Sequence, residues 1–234
     1  MNQNTPSSAQ TTPEVLSLFM RGVYQWMAAG LCLTALAAYF TAGSAFLMDL
    51  IFGNPIVLIM LIVGELGLVI AISAGINKLS ASTASFLFLL YSTLNGVVLS
   101  SLLNIYTGAS IFTTFLVCAG MFVAMSVYGM FTQKDLTGWG NMLFMGLVGI
   151  ILASVVNIFL QSPGLEFAIS GIGVIVFVGL TAYDTQKLKN MGESAPLDDQ
   201  TALRRGTILG ALTLYLDFIN LFLMLLRFLG EMKE

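Results

Sequence analysis

Long apolar segments alternate with short polar connections along almost the whole chain. One helical crossing of a hydrocarbon core about 30 Å thick needs about 20 consecutive apolar residues. Seven segments reach this length, at about 23–42, 55–76, 84–104, 110–131, 141–161, 165–186 and 207–229. The connections are rich in Gly, Pro, Asn or charged residues, and only 187–206 has any length. The pattern predicts an all-α membrane protein whose seven-helix transmembrane domain covers 21–234.

The first twenty residues have a different composition. They are polar and rich in Ser, Thr and Pro, which leaves too little apolar surface to form a core. They also lack the basic n-region of a cleavable signal peptide. We therefore expect residues 1–20 to be a disordered cytoplasmic tail and the first apolar segment to be retained as a span.

Composition supports the same class and excludes several partners. Apolar residues make up 57% of the chain and charged residues 9%, against about 25% charged in soluble domains. The net charge of −3 comes with no basic patch, so the expected surrounding is the lipid bilayer and not nucleic acid. The chain has no histidine, and Cys32 and Cys118 lie within apolar runs. We therefore expect no zinc or iron–sulfur site and no resident cofactor.

Basic residues lie on one side of the predicted spans. With a cytoplasmic N-terminus, the inside segments hold Arg21, Lys78, Lys134, Lys187, Lys189, Arg204 and Arg205, while the three outside loops hold no Lys or Arg. The positive-inside rule favours this orientation. Seven spans then put the C-terminus outside, although Arg227 and Lys233 lie there. A re-entrant last segment would instead return it to the cytoplasm.

The seventh segment, with TLYLDFINLFLMLLRF at 213–228, carries a carboxylate near its middle. A charge at the bilayer centre costs about 2.5–3.5 kcal/mol on insertion scales and by default marks an ion or proton pathway. Small and polar residues recur on one helical face, namely Gly206, Gly210, Thr213, Asp217 and Asn220. We expect this face to turn toward the bundle interior, with Gly210, Thr213 and Asn220 forming a pore-facing polar stripe beside Asp217.

Two further acidic residues lie within the predicted spans. Asp184, in FVGLTAYDTQKLK, is either a functional carboxylate or simply paired with Lys187 one turn away. Glu65, in LIVGELGLVI, is either part of a cation path or a protonated acid hydrogen-bonded between helices. Asp217 lies about 18 Å along its helix from Arg205, whereas Asp184 lies only about 4.5 Å from Lys187. The two aspartates can meet only if the sixth span runs deeper than its lysines suggest or if a water-filled vestibule opens.

The motifs TAYDTQKLK and TLYLDFINLFLMLLR together resemble the Bax inhibitor-1 family, also called the transmembrane Bax inhibitor motif or UPF0005 family. GVYQWMAAGLCLTALAAYF, YGMFTQKDLTGWGNMLFMGLVGI and ASVVNIFL resemble its bacterial branch, so the likeness covers nearly the whole chain after the tail. The resemblance implies a seven-helix fold in which the C-terminal helix is central between two three-helix layers. It also favours a bacterial inner membrane.

The resemblance further implies a pH-sensitive calcium leak. In the family, an aspartate on the sixth span and another on the seventh form a hydrogen-bonded pair that acts as pH sensor and gate, and they match Asp184 and Asp217 here. The family's acidic residue on the second span matches Glu65, a candidate for the cation path. A basic cluster that latches onto the pair in some relatives shrinks here to Lys78, the candidate latch.

Elementary electrostatics makes such a pair intelligible. Two carboxyl groups in contact at low dielectric cannot both ionise cheaply, so they share a proton and titrate as a unit. A change in proton count then makes or breaks a bond between the sixth and seventh helices. When both are ionised, Asp184 and Asp217 offer hard oxygen ligands for a transient Ca²⁺ ion. Calcium is thus expected as the transported ion.

Other functions remain open to different degrees. The resemblance also implies an interaction protein that modulates a membrane protease or a stress or cell-death response without conducting ions. A proton-coupled transporter is less compatible, since no repeat-related pair of broken helices is found in the sequence. We expect no enzymatic activity, because the chain lacks histidine and has no GxSxG or GxGD motif near its carboxylates.

Overall fold

The structure is a computed structural model that describes residues 12–194 and 200–233. For residues 12 and 13 it describes the backbone but not the side chains. Within the described residues, seven helices are long and apolar enough to cross a membrane, which confirms the predicted fold class. They are α1 (Thr12–Ala42), α3 (Pro55–Gly75), α4 (Ala81–Leu99), α6 (Gly108–Phe131), α7 (Thr137–Leu160), α8 (Pro163–Glu193) and α9 (Gln200–Leu229), and two short helices, α2 (Ala45–Phe52) and α5 (Leu102–Ile105), lie between them.

The first helix begins earlier than the hydrophobic pattern predicts. Residues 12–20, expected to be disordered, are the start of α1, while residues 1–11 lie outside the described residues. The reason is a tertiary contact, because the ring of the buried Phe19 packs against Gly192 and Gly206. The start of α1 therefore lies beside the end of α8 and the start of α9.

Two connections contain helix that a search for spans cannot detect. The first loop holds α2, whose N-cap Ser44 accepts a hydrogen bond from the Leu47 amide. Its eight residues are too few to cross the bilayer. At the other end of the chain, α8 continues beyond the predicted limit of 186 to Glu193, since charged residues that leave the hydrocarbon still favour helix.

The C-terminal helix α9 is central. It packs against α1, α3 and α4 on one side and against α6 and α8 on the other, while α7 lies outside on α8. Close approach depends on glycine, because a Cβ at Gly129 would overlap the Ala182 carbonyl oxygen and one at Gly96 would overlap the Thr34 carbonyl oxygen. The structure thus has the two three-helix layers around a central helix that the family resemblance implied.

The C-terminal segment docks on the loop between α5 and α6. The amide of Thr107 donates to the Glu231 carbonyl oxygen at 3.1 Å, and the amide of Lys233 donates to the Ile105 carbonyl oxygen at 2.9 Å. The start of α1 lies at the opposite end of α9, beside Gly206. The last helix therefore crosses the whole bundle and is not re-entrant.

Candidate functional site

The structure brings the two predicted aspartates together at the centre of the bundle. The carboxyl groups of Asp184, on α8, and Asp217, on α9, lie within hydrogen-bonding reach of each other. Asp217 is 5% exposed, and Asp184 is half-buried. Because an ionised carboxylate has no donor, two carboxyl groups can hydrogen-bond only when at least one is protonated. A hydrogen bond between the two carboxyl groups therefore requires a proton on the pair.

The depth of α8 explains how the aspartates meet. Gly173 packs on Met224, and the Leu188 side chain packs over Gly210, so that α8 and α9 run antiparallel in close contact on both sides of the pair. Asp184 lies well inside the 31-residue helix, and Lys187 is exposed. The alternative of a simple Asp184–Lys187 ion pair is not observed, since among the described residues the ion pair on this helix is Lys189–Glu193, at 4.0 Å.

Unused oxygen atoms remain at this site. The Oδ2 atom of Asp217 and the Oγ1 atom of the neighbouring buried Thr185 have no hydrogen-bond partner within the described residues. Buried polar atoms are otherwise almost always bonded, to protein, water or an ion. The pair can therefore accept a further ligand without breaking an existing bond to Asp217 Oδ2.

The donor set fits a transient cation better than a resident one. Ca²⁺ takes about six to eight oxygen ligands. In the described part of the chain, no cluster of three or more His, Cys, Asp or Glu side chains could hold a metal ion. Asp184 and Asp217 would therefore supply only part of a calcium coordination shell, and water would supply the rest.

The predicted polar stripe presents fewer free polar groups to the bundle interior than its helical spacing indicates. Gly210 is tightly covered, because a Cβ there would lie 2.8 Å from Leu188 Cδ2. The Thr213 hydroxyl and the Asn220 amide donate to carbonyl oxygens of their own helix, at 3.1 and 2.8 Å. In addition, the opposite, apolar face of α9 is buried as well. A pore-facing role for Gly210, Thr213 and Asn220 therefore stays a prediction.

A second polar cluster lies on the other side of α9. The hydroxyl of the fully buried Tyr215 lies 2.6 Å from Thr34 Oγ1 and donates to Asn95 Oδ1 at 3.1 Å. The Glu65 carboxyl group lies beside the Asn95 side chain, and the Thr34 hydroxyl reaches the Ser92 carbonyl oxygen at 2.8 Å. These contacts join α1, α3, α4 and α9. We refer to the residues that make them as the Tyr215 cluster, which consists of Thr34, Glu65, Ser92, Asn95 and Tyr215.

The Tyr215 cluster and the aspartate pair face opposite layers. Successive helical residues are about 100° apart, so Tyr215 and Asp217 point about 200° apart around α9. Glu65 belongs to the cluster and is not brought to the pair, and its Oε1 atom is buried without a described partner. Sequence reasoning missed Tyr215 and Thr34, although a tyrosine hydroxyl in the middle of an apolar run is a usable signal.

The candidate latch is not engaged. Lys78 is exposed in the loop between α3 and α4. The cation that joins this loop to the central helix is Arg205, whose Nη1 donates to the Asn77 carbonyl oxygen at 3.1 Å. A latch by Lys78 remains a prediction for another conformation.

Comparison with known proteins agrees with this architecture. The family model described as "Inhibitor of apoptosis-promoting Bax1" matches residues 16–234. The chain is 59% identical to the inner membrane protein YbhL of Escherichia coli K12 over 218 residues, 93% of each chain. It is 49% identical to an uncharacterized protein of Borreliella burgdorferi, covering 92% of this chain and 93% of that one. An uncharacterized membrane protein of Streptococcus pyogenes is 34% identical, again covering 92% of this chain and 93% of that one. The chain therefore belongs to the Bax inhibitor-1 family of integral membrane proteins.

Proposed function

We propose that the protein is a pH-sensitive calcium leak channel in which Asp184 and Asp217 form the pH sensor and gate. The observation that carries this proposal is the close approach of the two carboxyl groups across the α8–α9 interface, within hydrogen-bonding reach of each other. A hydrogen bond between the two groups needs a proton, and removing the last proton leaves two negative charges side by side in a largely buried interface. Separation of the helices, or arrival of a cation, relieves that repulsion.

Protons and calcium therefore compete for the same oxygen atoms. Ca²⁺ binding requires ionised carboxylates, so the affinity of the pair for Ca²⁺ should rise as pH rises. The buried Oδ2 atom of Asp217 has no hydrogen-bond partner within the described residues, so it can bind a cation once the α8–α9 interface opens. Glu65, on the other side of α9, is proposed as a second carboxylate on the cation path. No chemical step is assigned to the protein, which acts as a conductor and not as an enzyme.

Calcium flux from dye-loaded proteoliposomes, measured from mildly acidic to mildly alkaline pH, tests the proposal. Wild-type flux is expected to change with pH by up to about tenfold per pH unit, the limit for control by one proton. The double variant Asp184→Asn/Asp217→Asn should remove this dependence, because neither amide titrates in this range, and each single variant should alter it, because one carboxyl group can no longer share a proton with a second. Glu65→Gln should lower the flux and keep its pH dependence.

Asp135→Asn is the matched control, since Asp135 is an exposed loop carboxylate that accepts a hydrogen bond from the Thr137 amide. It should behave as wild type. Wild-type flux no greater than that of empty liposomes at every pH would contradict the channel. Flux whose pH dependence survives both aspartate substitutions would contradict the gate alone.

We further propose that the protein lies in a bacterial inner membrane with a cytoplasmic N-terminus and an external C-terminus. The basic residues and the full crossing by α9 support this orientation. A C-terminal alkaline phosphatase fusion should be active in cells, and a C-terminal green fluorescent protein fusion should be dark. Fusions after Lys134, in the loop between α6 and α7, should give the opposite pattern. The reverse result would overturn the orientation.

A further inference from the structure

A polar cavity of about 330 Å³ lies between α1, α4 and α9, at the end of the bundle where the basic residues concentrate. It is lined by Trp26 of α1, by Ser82 and Ser85 of α4, and by Arg204, Thr207 and Ile208 of α9. It belongs neither to the aspartate pair nor to the Tyr215 cluster. Its volume lies within the range of small-ligand sites, about 300–1,000 Å³.

Its charged group is available for a ligand. Arg204 is exposed and has no ion pair or hydrogen bond within the described residues, in contrast to Arg205, which is held by Asn77. A guanidinium has five donors and binds phosphate through two parallel hydrogen bonds. None of the described side chains that line the cavity is acidic, so none of these competes with an anion for Arg204.

The other lining groups complement this cation. The hydroxyls of Ser82 and Ser85 have no hydrogen-bond partner within the described residues, so both can donate to an anion. The Thr207 hydroxyl differs, because its proton is donated to the Leu203 carbonyl oxygen at 2.9 Å. The Thr207 oxygen can therefore only accept a hydrogen bond from a ligand. Arg204, Ser82 and Ser85 therefore form a donor set for an oxyanion such as phosphate.

The position of the cavity favours a phosphate group that belongs to a membrane lipid. It opens between membrane-spanning helices at one end of the bundle, and basic pockets in this position bind lipid headgroups. Trp26 makes an edge-to-face contact with Phe88 deeper in the bundle. Tryptophan is enriched at the headgroup level, where its amphipathic ring suits the boundary between hydrocarbon and water.

We propose that this cavity binds the phosphate group of an anionic phospholipid from the adjacent leaflet, with Arg204, Ser82 and Ser85 as the ligating side chains. The glycerol and the upper acyl chain of the lipid then lie against Trp26 and Ile208. This site is independent of the channel proposal, because neither aspartate of the pair lines the cavity. It gives α9 a lipid contact at the end opposite to the docked C-terminus.

Trp26 supplies a direct reporter of occupancy. The chain has two tryptophans, and Trp139, on α7, is exposed away from the cavity. In a Trp139→Phe background, phosphatidylglycerol carrying a quencher near its headgroup should quench Trp26 more strongly than equally labelled phosphatidylcholine at the same mole fraction. Titration with the labelled lipid in nanodiscs gives the relative affinity of the site.

Loss of the charged donor in Arg204→Gln should weaken anionic lipid binding about tenfold, and loss of a neutral hydroxyl donor in Ser85→Ala should weaken it about threefold. Arg227→Gln is the matched control, because Arg227 is an exposed arginine in the last turn of the same helix. It should leave the preference unchanged. Ser85→Leu fills the cavity without changing charge and should also abolish the preference, which provides a second test if Arg204→Gln folds poorly.

Two outcomes would overturn the proposal. One is an unchanged preference for phosphatidylglycerol in both Arg204→Gln and Ser85→Leu. The other is displacement of the labelled lipid by millimolar inorganic phosphate, which would assign the site to a free phosphate ion. Retention of the lipid in the presence of phosphate, together with its loss in the cavity variants, is the expected result.

Discussion

Gly129→Ala is expected to destabilise the protein by about 3 kcal/mol, at the upper end of the usual cost of overpacking. The substitution adds a Cβ that would overlap the backbone carbonyl oxygen of Ala182, and a backbone atom cannot swing aside as a side chain can. Helices α6 and α8 must therefore move apart. Since Ala182 is two residues before Asp184, this movement also displaces one carboxyl group of the aspartate pair.

Thermal unfolding of the purified protein measures the effect, and Gly120→Ala on the same helix is its matched control. A Cβ at Gly120 would have no heavy atom of a neighbouring helix within 4 Å, so this substitution adds no clash. Alanine there should be neutral or stabilising by about 0.5–1 kcal/mol, because glycine loses more conformational freedom on folding. Equal melting temperatures for the two variants would contradict the close α6–α8 approach.

The spans were predictable because the bilayer imposes a single requirement. A backbone without water must satisfy its own hydrogen bonds, so every crossing is a helix of about 20 apolar residues. That requirement does not apply outside the hydrocarbon. For this reason the sequence pattern missed the first turns of α1, the helix α2 and the last two turns of α8.

Because the last two turns of α8 were not predicted, the depth of Asp184 in the bundle was not predicted either. With α8 ending at 186, Asp184 appears to lie at the membrane surface and far from Asp217. The helix in fact continues to Glu193, which leaves Asp184 inside the bundle. Helical spacing correctly predicted that Asp217 faces protein. It could not predict that the opposite face of α9 is also buried, since lipid chains are as apolar as a neighbouring helix.

The Tyr215 cluster was hidden for a related reason. Thr34, Asn95 and Tyr215 come from three distant segments, and each alone is an ordinary polar residue in an apolar span. Only tertiary packing brings their side chains within 2.6–3.1 Å. Interhelical hydrogen bonds of this kind join helices that the hydrophobic effect cannot hold together in lipid.

Tyr215→Ala is expected to be among the most damaging single substitutions, with a cost of about 3–5 kcal/mol for deleting a buried aromatic side chain. Tyr215 is fully buried, and its ring makes edge-to-face contacts with Phe88 and Tyr91, at centroid distances of 5.8 and 5.6 Å. Deleting it leaves a cavity between the central helix and α4. It also removes the Tyr215 hydroxyl, which is the hydrogen-bonding partner of Thr34 and Asn95.

Tyr215→Phe separates these contributions, because it keeps the ring and removes only the hydroxyl. The expected cost is about 1–3 kcal/mol, since Asn95 and Thr34 lose a buried partner. In a double-mutant cycle with Thr34→Val, the two changes should be non-additive by about 0.5–3 kcal/mol. Tyr128→Phe, at an exposed tyrosine of α6, is the control and should be neutral. Additive effects in the cycle would mean that the 2.6 Å contact between Tyr215 and Thr34 contributes no coupling between α9 and α1.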